Sequence, residues 1–315
     1  MEILAKTSAA ILPAFMIIGL GWFLRRVGLL SENLVSGMNK FSFIVLLPIL
    51  LFQKIGLHPI EEAFNGPLII GSLISCGAVW LAMFGLVKLK GNIAPDRTGV
   101  MVQGSFRPNT AVVGLAILAG AYGDSVFGPG GVLLGVHVPF INILSVLALL
   151  LPHRTTRGLE GFSTMFAALV SNPLIIGAFL GALRSATGFG LPVFVDTAFD
   201  MLTAMAIPLA LICVGGSLRF DKLRIDMAAS LATTAMKLVF MPALAWAILG
   251  GLFHLDGMML AIGVIYASAP TASSSFIMAH QMEGDSDLAA SILVTTYLFS
   301  IFTMSAWLAA LFRWG

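Results

Sequence analysis

Apolar runs of membrane-crossing length follow one another along the whole chain, separated by short linkers that hold most of the charge. A helix needs about 20 apolar residues to cross the hydrocarbon of a bilayer. Ten runs meet that requirement: 8–27, 34–55, 67–87, 97–120, 130–151, 162–183, 192–217, 227–252, 257–280 and 288–311. The pattern predicts an all-α integral membrane protein of ten transmembrane helices. An even number of spans places both termini on the same side.

Composition agrees. The chain is 58% hydrophobic and 10% charged, with a mean hydropathy of +1.00, whereas soluble domains carry about 25% charged residues. No soluble domain is left once the spans are assigned, so membrane lipid is the expected surrounding and a nucleic-acid partner is not. Cys76 and Cys213 lie inside apolar runs, and no CxxC or other ligand spacing points to a metal or a cofactor. The first run ends at Arg25-Arg26, the wrong side for a cleaved signal, and reads as a retained span. Ten basic residues (Arg25, Arg26, Lys88, Lys90, Arg97, Arg154, Arg157, Arg219, Lys222 and Arg224) fall on one side and four (Lys6, Lys54, Arg184 and Arg313) on the other. Cytoplasmic loops carry the excess of Lys and Arg, so both termini are expected outside.

The second half repeats the first. Pro13 and Pro173, Gly21 and Gly181, Gly28 and Gly188, and Pro48 and Pro208 each stand 160 residues apart. Pro108 and Pro270 are 162 apart, and Gly123-Asp124-Ser125 recurs 161 later as Gly284-Asp285-Ser286. This divides the chain into five-span repeats, 1–155 and 156–315, and an odd number of spans per repeat inverts the second copy. Inverted repeats with paired interrupted helices mark secondary transporters and their binding sites.

The interruptions fall in spans 4 and 9. Gln103-Gly104-Ser105-Phe106-Arg107-Pro108-Asn109-Thr110 puts an arginine and a proline at mid-membrane. Arg at the bilayer centre costs about 2.5–3.5 kcal/mol on insertion scales, and broken backbone survives there only when buried in protein or lining a wet cavity. Tyr266 to Ser275, with Pro270 at its middle, is the matching stretch. A proline kink with Arg107 paired to a neighbouring helix is the simpler reading. A discontinuous helix that binds an anion explains more, because a half-helix starting after each proline presents free N–H groups and a positive dipole end. Arg107 adds a fork that matches a carboxylate. Arg107 and Asn109 are the first candidate contacts for a small organic anion, and Ser105, Thr110, Thr271 and Ser273 the second, with Pro108 and Pro270 making the breaks.

Lys237, deep in span 8, reads as a second anion contact, a coupling residue, or a lysine paired with a carbonyl. His137 in span 5 reads as a proton carrier or a satisfied core histidine. Asp196 and Asp200 share a helix face near the outer end of span 7, where acids commonly complement the helix dipole. Spans 3, 4, 5, 8 and 9 hold no acidic residue, so a carboxylate cation site near the breaks has no ligands, although carbonyls and hydroxyls hold Na⁺ in some carriers. No catalytic motif such as HExxH or GxSxG is present, no catalytic residue is assigned, and an enzyme is not expected. A channel fits paired mid-membrane breaks less well than alternating access does.

Asn39-Lys40-Phe41 before Leu47-Pro48, Pro108-Asn109-Thr110, and Asn172-Pro173-Leu174, within this ten-span layout, resemble the auxin efflux carrier family, which includes bacterial malonate and malate permease-like proteins. The resemblance implies a scaffold of spans 1, 2, 6 and 7 and a transport unit of spans 3–5 and 8–10. It also implies that spans 4 and 9 cross at Pro108 and Pro270 with substrate bound there, an elevator-type motion, and a homodimer in the bacterial inner (plasma) membrane. By the same resemblance Asn109 contacts the substrate carboxylate. The short linker from Pro152 to Gly161 and Arg107 depart from the plant pattern and fit a small mono- or dicarboxylate, such as malonate or malate; H⁺, Na⁺ and the membrane potential are all open as the driving force. A sodium-coupled organic-anion symporter of the bile-acid type is the alternative.

Overall fold

The computed structural model describes residues 2–153, 171–223 and 226–314. In chain order the helices are α1 (Glu2–Arg26), α2 (Glu32–Gly56), α3 (Gly66–Lys90), α4 (Pro95–Phe106), α5 (Leu115–Tyr122), α6 (Phe127–Leu150), α7 (Pro173–Thr187), α8 (Val193–Ser217), α9 (Met227–Leu252), α10 (Gly257–Ser268), α11 (Ser274–Gln281) and α12 (Ser286–Trp314). Among the described residues there is no strand, only one isolated β-bridge.

Among the described residues seven stretches are long and apolar enough to cross a membrane, and α7 and α10 are shorter apolar helices. The lower count than the ten expected spans has local causes. Spans 4 and 9 are divided into α4 with α5 and α10 with α11, and a 3₁₀ turn, Gly123–Val126, runs α5 into α6 without a loop. The sixth run, 162–183, lies outside the described residues up to 170, as do Arg154, Arg157 and Arg224 of the orientation argument. Large apolar side chains such as Met16, Val193, Phe194 and Phe302 are exposed, a surface suited to lipid rather than water. The protein is an all-α, multi-pass membrane protein.

The chain forms two compact units, each drawing on both sequence halves. The first holds the described residues of Met1–Gly66, Ala111–Val138 and Ala167–Ser217; the second holds those of Pro67–Thr110, Pro139–Phe166 and Leu218–Gly315.

Glycine sets the packing of the first unit. A Cβ on Gly177 would lie 2.5 Å from the Pro48 carbonyl oxygen, and one on Gly181 would lie 2.9 Å from that of Phe52. The pair, four residues apart on one face of α7, lets α7 lie directly on the α2 backbone, as small residues do between membrane helices. Gly21 on α1 meets the Ile212 backbone of α8 in the same way. Asp196 pairs with Arg184 at 3.2 Å, and Asp200 accepts a 2.7 Å bond from the Gln53 amide. Both acids of span 7 are therefore engaged within this unit.

The second unit packs α9 against α12 through matched hydroxyls. Ser230 meets Ser291 at 2.8 Å and Thr234 meets Thr295 at 2.9 Å. Pro242 has no N–H for the Leu238 carbonyl four residues earlier. That carbonyl accepts the Trp307 indole N–H at 3.0 Å instead. Charge gathers at one end, where Arg97 pairs with Asp226 and Asp285 and Lys222 with Asp287.

Candidate functional site: a bridged pair of helix breaks

Both interrupted helices lie in the second unit as far as Thr110. Helix α4 stops at Phe106 because Arg107 is extended (φ −91°, ψ 92°), as the residue before a proline prefers. Likewise α10 stops at Ser268, with Ala269 at φ −58°, ψ 142° before Pro270. Between these ends Pro108 and Thr271 form an antiparallel bridge. The Asn109 N–H donates to the Pro270 carbonyl at 2.8 Å, and the Ala272 N–H donates to the Arg107 carbonyl at 3.1 Å. The bonds come from the neighbours of the bridged pair, so the missing N–H of Pro108 leaves no gap in the ladder. The two breaks thus satisfy part of each other's backbone, which an apolar surround would otherwise leave at a cost of several kcal/mol per group.

The freed carbonyls of each half-helix find side chains. Thr271 donates its hydroxyl to the Gly104 carbonyl at 2.9 Å, while its own N–H is held by Thr296 Oγ1 at 3.3 Å. The Cys76 thiol of α3 approaches the Phe106 carbonyl at 3.8 Å. At the other break the Lys237 ammonium donates to the Ala267 carbonyl and lies 3.5 Å from Met241 Sδ. Lys237 is fully buried, on a π-helical turn of α9, Met236–Phe240.

Arg107 is 7% exposed. One terminal nitrogen donates to Ser145 Oγ at 2.7 Å, the other to Ser274 Oγ at 3.1 Å, and Nε has no partner. Among the described residues no carboxylate pairs with Arg107 or Lys237. The second unit therefore buries two cationic side chains with neutral partners, an arrangement that an anion would compensate.

The candidate contacts differ in what they offer an anion. Asn109 donates one amide hydrogen to Tyr297 Oη at 2.8 Å and keeps the second. The Ser105 hydroxyl is spent on the Val102 carbonyl at 2.7 Å, and that of Thr271 on Gly104. Both then present only lone pairs, which repel a carboxylate, so they serve the backbone. Thr110 is buried at the start of the π turn Thr110–Gly114. Ser273 is partly exposed at the head of α11 and makes no capping bond with its side chain. Ser275 Oγ is buried without a partner. His137 is buried in the part of α6 that belongs to the first unit, and is not one of this group.

Ser145 escaped the sequence reading because it stands in an apolar run with nothing local to mark it, and Tyr297 because it follows Thr295-Thr296 in a span with no break or charge beside it. Ser274 and Ser275 had a signal, a row of three serines after Pro270. Among the described residues no group of His, Cys, Asp and Glu has a metal-holding arrangement. An apolar groove of about 490 Å³ between α2, α7 and α8 in the first unit, lined by Ile44, Pro48, Phe52, Ile176, Leu180 and Phe199, has nothing to hold a carboxylate.

Comparison with known proteins agrees with a transporter. Residues 7–308 match the family model described as "Membrane transport protein". The "Uncharacterized transporter YfdV" of Escherichia coli K12 is 26% identical over 298 residues, covering 90% of this chain and 92% of its own. The "Putative malonate transporter" of Rhizobium meliloti is 26% identical over 321 residues, covering 96% and 95%. An "Uncharacterized transporter" of Methanothermobacter thermautotrophicus is 24% identical over 306 residues, covering 96% and 97%. With nearly its whole length matched, the chain belongs to the membrane transport protein family, the auxin efflux carrier family.

Proposed function

We propose that this protein is a secondary carrier of a small organic anion, a mono- or dicarboxylate of the malonate or malate kind, bound at the bridged breaks. The observation that carries this reading is Arg107, a buried guanidinium held by two serine hydroxyls, with Nε unused and no carboxylate partner among the described residues. Arg107 fixes one carboxylate, Asn109 supplies its second amide hydrogen, and Ser273 to Ser275 add donors at the head of α11. The relative named as a malonate transporter supports the substrate class.

The inverted repeat has support in paired contacts. Gly21 lies on Ile212, and Gly181 lies on Phe52. Both the glycines and their partners are 160 residues apart, so the offset carries one contact onto the other with the roles exchanged. Cys76 with Phe106 and Lys237 with Ala267 match likewise, at an offset of 161. A carrier built on such repeats works by alternating access, of the elevator type in this reading, as a homodimer in the bacterial inner membrane with both termini outside.

Counterflow into proteoliposomes preloaded with malonate tests the function. Labelled malonate is expected to accumulate transiently and saturably, with malate competing and a neutral diamide failing to compete. Linear, non-saturable entry would indicate a channel. Accumulation confined to Na⁺-containing buffer would favour the sodium-coupled alternative.

A further inference from the structure

The bond from Lys237 to Ala267 carries an inference beyond the substrate site. Within a continuous helix the Ala267 carbonyl would accept the N–H of residue 271. The break diverts that N–H to Thr296 Oγ1, and the Lys237 ammonium takes the vacated position. The carbonyl end of a half-helix is negative, and in carriers with broken helices such ends coordinate the coupling cation. The repeat-related position, Cys76 at Phe106, has a neutral thiol, and that break has its own cation in Arg107. Each break therefore has one fixed positive charge.

We propose that the Lys237 ammonium is a resident cation standing where a coupling Na⁺ would otherwise sit. It holds the end of α10 and with it the bridge from Asn109 to Pro270. The consequence is a break that assembles without added Na⁺. Lys237 is here a positioning residue, acting through Ala267. The inference rests on the anion-carrier reading only for what the charge is used for; the bond and its loss are testable without any substrate.

The test combines thermal unfolding of the purified protein in detergent, with no substrate present, and labelled malonate uptake. Both are measured in choline chloride, NaCl and methylammonium chloride for the wild type, Lys237→Ala and Lys237→Met. The wild type is expected to be indifferent to the cation in both readouts. Loss of a charge-assisted hydrogen bond should reduce uptake by Lys237→Ala about ten- to hundredfold in choline and lower its unfolding temperature by roughly 4 °C. Methylammonium, which restores a cation in the space left by the side chain, should recover both. Lys237→Met fills that space without charge, so it should be equally impaired and not recovered. Na⁺-dependent unfolding of the wild type would overturn the proposal, as would Lys237→Ala unfolding like wild type in choline. Recovery of Lys237→Met by methylammonium would overturn it too. A flat uptake assay with the expected unfolding pattern would count against malonate carriage and leave the resident cation standing.

Discussion

At the scale of single residues, the hydroxyls around the breaks divide into those spent on the backbone, such as Thr271 and Ser105, and Ser275, whose oxygen has no partner. Thr271 donates its hydroxyl to Gly104, and its own N–H is held by Thr296. Thr271→Val keeps the shape and removes the donor, leaving a buried carbonyl unsatisfied at a cost of about 1–3 kcal/mol. Thermal unfolding of that variant should show a loss of several degrees, whereas Ser273→Ala, at a partly exposed hydroxyl with no capping bond, should leave stability near wild type and weaken anion binding. The sequence named Thr271 and Ser105 as second-rank anion contacts, since a hydroxyl beside a mid-membrane proline suits either role. Which role it takes depends on where the freed carbonyls point, and that is fixed by the bridge between segments more than 160 residues apart. Arg107 and Pro108 were legible because a charge and a missing N–H at mid-membrane each carry a cost that something nearby must offset.

At the scale of helices, glycine positions govern the packing of the first unit. Gly177 and Gly181 bring the α7 backbone onto α2, and Gly21 brings α1 onto α8. Gly181→Leu places a branched side chain against the Phe52 carbonyl, with no flexible neighbour to give way. Overpacking of this kind costs typically 1–3 kcal/mol. Gly181→Leu should lower the unfolding temperature and the yield of folded protein, and Gly19→Leu, where a Cβ meets nothing within 4 Å, should change neither. The glycine repeat was visible in the sequence as spacing, but its meaning as a helix crossing needed the partner backbones. The span count was less legible. Hydropathy registers apolar length, and neither the divided helices nor the loopless turn from α5 into α6 changes the apolar length of a run.

At the scale of the whole molecule, the membrane class and the family were legible from the outset, since both rest on composition and on motifs spread along the full chain. The site was legible only in part, because Ser145 and Tyr297 join it from distant segments. The second unit contains both breaks and two buried cations, Arg107 held by the Ser145 and Ser274 hydroxyls and Lys237 by the Ala267 carbonyl, neither with a carboxylate partner among the described residues. In the function proposed above, Arg107 takes a carboxylate of the substrate. The most direct test is equilibrium binding of malonate and of its uncharged analogue malonamide to the purified protein, wild type against Arg107→Gln, with unfolding curves recorded for both proteins. Malonate but not malonamide should bind saturably to the wild type, and a folded Arg107→Gln should lose at least about tenfold in malonate affinity, as expected for one charge-assisted hydrogen bond. Equal malonate affinity in the two proteins would contradict it and make Arg107 a structural residue.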